Sequence, residues 1–133
     1  MTNVIMSKKS LLCCFFIIFA SSLLHSYTYL GVHSPGVNFP DYRVYRSVNN
    51  MDVYKLIFDE IEAGLRHGFL LVEITPRQEV PNLHENMRNL FRRTGGDLAV
   101  GAAPRGNGFE VVVYFFHNGR YYGYLLRFLP PRS

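Results

Sequence analysis

Tryptophan is absent from this chain, and cysteine occurs only twice, at the adjacent positions Cys13 and Cys14. Both thiols lie in an apolar run near the N-terminus. The remainder therefore offers no disulfide, no thiolate nucleophile and no cysteine metal site. A small exported domain commonly relies on such staples, so this one must be held by packing or by a partner. Histidines are few and scattered (His25, His33, His67, His84, His117), with no His-x-His or His-x₃-His spacing that would mark a metal site. There is no G-x-S-x-G elbow and no phosphate-cradling glycine loop, so no cofactor is implied. A strong charge bias is also lacking. Of the 14 Lys and Arg, Lys8 and Lys9 stand at the N-terminus, leaving twelve against 10 Asp and Glu. So small an excess gives little drive toward nucleic acid or a membrane surface.

What is present begins with a three-part leader, MTNVIMSKKSLLCCFFIIFASSLLHS. Lys8 and Lys9 precede an apolar run from Leu11 to Ala20, and small residues follow at Ser21, Ser22 and Ser26. This is the layout of a secretory signal peptide over residues 1–26, the rival being a short N-terminal anchor. The expected location is secreted or extracytoplasmic, or membrane-anchored if the leader is retained.

Residues 27–41, with two Pro and two Gly, read as an extended arm. A single α+β domain is expected over 42–133. Tyr42–Val48 reads as a short edge strand. Asn49 or Asn50 should cap a helix running to about His67, with Val53, Leu56, Ile57, Ile61 and Leu65 as its apolar stripe. Phe69–Thr75 reads as a buried strand that Pro76 closes. Asn82 with Glu85 three residues on has the spacing of a capping box, opening a second helix to about Thr94. Leu98–Ala103 reads as a strand and Pro104–Gly108 as a turn.

The last twenty-odd residues carry the sharpest signal. Asn118-Gly119 between two β-rich runs predicts a type I′ hairpin. Its register places His117 opposite Arg120, Phe116 opposite Tyr121, Phe115 opposite Tyr122, Tyr114 opposite Gly123 and Glu110 opposite Arg127. One face then carries Phe109, Val111, Val113, Phe115, Tyr122, Tyr124, Leu126 and Phe128 and belongs to the core. The other face, together with the turn, leaves Tyr114, Phe116, Arg120, Tyr121 and Arg127 as the candidate binding residues. The expected fold is two helices on one face of a mainly antiparallel sheet of four to five strands, in the order (β)αβαβββ.

Tyrosine, phenylalanine and arginine are the residue types that interface cores favour. The function expected is a small exported or membrane-tethered non-catalytic domain that engages a protein partner, or a second copy of itself, through this aromatic and arginine-bearing face. The alternative is a toxin-like or nucleic-acid-directed protein. Arg120-Tyr-Tyr-Gly-Tyr-Leu partly resembles the RNP1 strand of RNA-recognition motifs, departing from it at Tyr121, where glycine is expected, and at Arg127, where an aromatic is. The succession of helix, FLLVEI strand and tyrosine-bearing strand is similar to the N-terminal part of ribosome-inactivating N-glycosidases. Those proteins pair active-site tyrosines with a Glu-x-x-Arg on a later helix. The only counterpart here, Glu85 and Arg88, precedes the tyrosine strand.

Overall fold

The computed structural model describes residues 27–131. The leader, with Cys13 and Cys14, lies outside the described residues. Eight elements follow in order: β1 (Thr28–His33), β2 (Tyr42–Arg46), α1 (Asp52–Arg66), β3 (Leu70–Glu79), α2 (Glu85–Thr94), β4 (Leu98–Arg105), β5 (Gly108–His117) and β6 (Arg120–Leu129). All six strands join one antiparallel sheet in the order β1-β2-β4-β5-β6-β3. The class is α+β as expected, with six strands rather than four to five. The extra strand is β1, in the stretch expected as an arm. It pairs with β2, so β2 is an interior strand and not an edge.

The helices lie on opposite faces of the sheet, not on one. Residues adjacent along a strand point to opposite faces. Tyr45, Leu98, Val100, Val113 and Phe115 pack with Val53, Leu56 and Ile57 of α1. Their chain neighbours Val44, Ala99 and Tyr114 pack instead with Met87, Leu90 and Phe91 of α2. Helical periodicity announces a buried stripe but not which side of a sheet will bury it, and this sheet is apolar on both.

The hairpin has the expected register throughout, from Phe109 opposite Phe128 to His117 opposite Arg120. Asn118 and Gly119 adopt φ of 51° and 75°, the positive values that a type I′ turn demands. A second tight turn, Gly106-Asn107, joins β4 to β5.

Both helix starts differ from expectation. Asn49 spends its side chain on the amide of Met51, and the Asp52 carboxylate accepts from the amides of Val48 and Asn49. Helix α1 thus begins at Asp52 without a side-chain cap on Met51. In α2 the cap is His84, whose Nδ1 accepts from the amide of Asn86 at 3.0 Å. Glu85 is then the first helical residue rather than the third, and no capping box forms. Gly95, at φ 74°, ends the helix in the left-handed conformation.

Strand β3 corrects the expectation of a buried strand. It is an edge strand paired only with β6, and Leu70, Val72 and Ile74 are exposed. Pro76 does not close it. The strand continues to Glu79 by bulging. Between Thr75 (opposite Leu125) and Gln78 (opposite Gly123), Pro76 and Arg77 together oppose Tyr124 alone. An edge position and a bulge are the two settings that tolerate a proline without an N–H to donate.

Candidate functional site

The hairpin end of the sheet carries aromatics and arginines on both faces. On the α2 face, Tyr121 packs against Phe116 at 4.6 Å between ring centroids and against Phe91 at 5.8 Å. The Arg88 guanidinium lies 5.7 Å from the Tyr121 ring. Tyr114 packs on Tyr42 at 6.2 Å and shields the bare backbone of Gly123. Burial raises the ionisation point of the Tyr114 hydroxyl.

The five residues singled out in the sequence are therefore divided by α2. Tyr114 and Tyr121 are half-buried against its cluster. Phe116 is half-buried beside Tyr121, and Arg120 at the turn is exposed. Arg120 makes a loose ion pair with Glu79 at 3.7 Å. Arg127 lies farther from the turn, 3.9 Å from the Glu73 carboxylate. Its cross-strand partner Glu110 turns instead to Arg105 at 2.6 Å. Phe116, Arg120 and Tyr121 thus share the hairpin end, while Arg127 lies toward the opposite end of β6.

Glu85 and Arg88 do not converge on the tyrosines as a pair. Glu85 bonds Arg92 at 3.1 Å, and Arg88 donates to the carbonyls of Leu83 and Pro81 at 2.9 and 2.7 Å.

On the α1 face a second group stands that the sequence did not reveal. Arg77 lies 3.9 Å from the Tyr122 ring centroid and 5.9 Å from that of Phe115. Tyr54, in the first turn of α1, meets Tyr124 edge-on at 6.1 Å. His117 stacks on Phe115 at 5.2 Å. Burial acts to lower the pKa of Arg77, but the Tyr124, Tyr54 and Tyr122 hydroxyls outweigh it and raise the value, keeping the guanidinium charged. Tyr124 is pushed up to about 12, by burial first and then by Tyr54, against the opposing pull of Arg77. Its hydroxyl is buried beside these neighbours yet makes no well-formed hydrogen bond among the described residues.

Arg77 was missed for a definite reason. Pro76 reads as a strand terminator, whereas a proline inside a strand pattern also signals an edge bulge, and a bulge re-aims the next side chain.

Comparison with known proteins yields no matching family model, no matching curated relative and no matching solved structure.

Proposed function

We propose that this chain is a small exported or membrane-tethered domain that binds a protein partner without catalysis, using the hairpin end of its sheet. The observation that supports this most directly is the half-exposed Phe116–Tyr121 pair, backed by Phe91 and flanked by Arg88, with the exposed Arg120 next to it at the turn. Aromatic rings held by a rigid core lose little conformational freedom on contact, and Tyr and Arg are the usual anchors of protein interfaces. Glu79 and Glu85, on the neighbouring β3 and α2, are in ion pairs. The N-glycosidase-like or RNA-directed alternative draws less support, because Arg88 is committed to backbone carbonyls and Glu85 turns away to Arg92.

The test is a Phe116→Ser/Arg120→Ser double variant, which spares Tyr114 and Tyr121 beneath α2. A partner cross-linked by the native protein should be lost by this variant and retained by a Val37→Ser control at an exposed loop. Undiminished cross-linking by a double variant with native circular dichroism would rule the surface out.

A further inference from the structure

We infer that Arg77, with Tyr54, Tyr122 and Tyr124, forms a carboxylate-binding site that takes an acidic side chain from an extended segment of the protein partner. This rests on the partner-binding reading above but uses the opposite face of the hairpin.

Three observations carry it. Arg77 is exposed and lies over an aromatic ring, 3.9 Å from the Tyr122 centroid, at a bulge on the α1 face. A guanidinium has five N–H donors, so those not spent on the Tyr54 and Tyr122 hydroxyls can fork onto a carboxylate. Among the described residues no carboxylate pairs with Arg77, because its nearest acidic neighbour along the strand, Glu79, is turned to Arg120. Finally, Tyr124 is 6% exposed, and the Tyr54, Tyr122 and Tyr124 hydroxyls gather around the Arg77 guanidinium at one place.

Charge selects the acceptor. Arg77 contributes one uncompensated positive charge, and the Glu79–Arg120 pair contributes none. One cation balances one carboxylate, whereas a doubly charged phosphate would be left in excess next to Glu79. The setting favours a peptide as the carrier. Arg77 sits on an edge strand whose outer side is unpaired within the sheet, and Phe58 and Ile74, 68% and 53% exposed, offer apolar contacts on α1 and β3. An extended chain with alternating acidic and apolar residues matches a strand edge bearing both.

The probe is a labelled decapeptide alternating Glu and Leu, compared with its Gln counterpart by fluorescence anisotropy. The Glu peptide should bind at least tenfold more tightly, and Arg77→Gln should remove that difference. Arg77→Lys should restore only part of it, and Tyr124→Phe should weaken binding severalfold. Arg88→Gln, on the other face, should leave it unchanged. Equal binding of the Glu and Gln peptides, or full binding by Arg77→Gln, would overturn the proposal. So would competition by inorganic phosphate at concentrations where acetate has no effect, which would assign the site to phosphate. If the peptide result fails while Phe116→Ser/Arg120→Ser still loses its cross-linked partner, the carboxylate site falls and the partner-binding reading stands.

Discussion

Arg43 of β2 and Glu60 of α1 form a two-pronged ion pair in the core, with N–O distances of 2.8 and 2.6 Å and exposures of 3% and 1%. Arg43 also donates to the Tyr45 hydroxyl at 3.3 Å. Burial acts to lower the pKa of Arg43, and the facing Glu60 carboxylate raises it by more. The pair joins helix to sheet at one register, since any other would separate the two charges. Removing one partner strands the other, at a cost of about 3–5 kcal/mol. Glu60→Leu and Arg43→Met should each lose that much in urea unfolding. The double variant, which leaves neither charge buried alone, should lose clearly less than the sum of the two.

Gly64 shows how closely α1 approaches the sheet. A Cβ at this position would lie 2.5 Å from Cε2 of Phe128, itself fully buried and stacked on Phe109 at 4.9 Å. Alanine is the better helix former by about 1 kcal/mol. Overpacking a filled core costs about 1–3 kcal/mol, so Gly64→Ala is expected to destabilise the protein. A gain in melting temperature would show that Phe128 has room to move.

The contrast between the hairpin and the helices shows what local sequence encodes. Asn118-Gly119 sets a two-residue turn, and strand pairing then follows by counting, so even Glu110 opposite Arg127 could be named. The apolar stripe of α2 was equally legible, but its destination was not. Both faces of β2, β4 and β5 are apolar, and only the chain path decides that Met87 and Leu90 cover Val44 rather than Tyr45. Tyr114 and Tyr121 consequently read as open surface when they are half under a helix. Arg77 was hidden by a proline whose two meanings, strand end and bulge, look alike in one dimension.

Buried tyrosines make this fold sensitive to alkali. Tyr42 and Tyr45 are raised well above the usual value, chiefly by burial, and Tyr27 is raised by burial and by its hydrogen bond to Asp59. Tyr124 rises from 10.0 to about 12. A group whose folded-state pKa is raised holds its proton longer when folded. Its stabilising contribution is intact below the unfolded value and is lost as pH climbs through the folded one. For Tyr124 that window runs from about 10 to about 12. Circular dichroism should therefore show steady stability up to about pH 10 and a steep decline above it. Tyr124→Phe should shift the midpoint upward, and a midpoint unchanged by the substitution would exclude Tyr124 as a contributor.

The hairpin turn allows conformational strain to be measured apart from packing. Gly119 has φ 75°, and a Cβ built on it would meet nothing within 4 Å. Any loss in Gly119→Ala must then come from placing an L-residue in the left-handed region, which costs about 1–2 kcal/mol. Asn118, at φ 51°, already tolerates that region, and Asn118→Gly should be close to neutral. Asn118→Val should cost more than Gly119→Ala, because a β-branched side chain resists positive φ most strongly. Equilibrium urea unfolding of the three variants should rank them Asn118→Gly, Gly119→Ala, Asn118→Val in increasing loss. The denaturant slope should stay constant, since none of them alters the surface buried on folding. A native-like Asn118→Val would mean the strands are held in register by their side chains alone, with the turn a passive link.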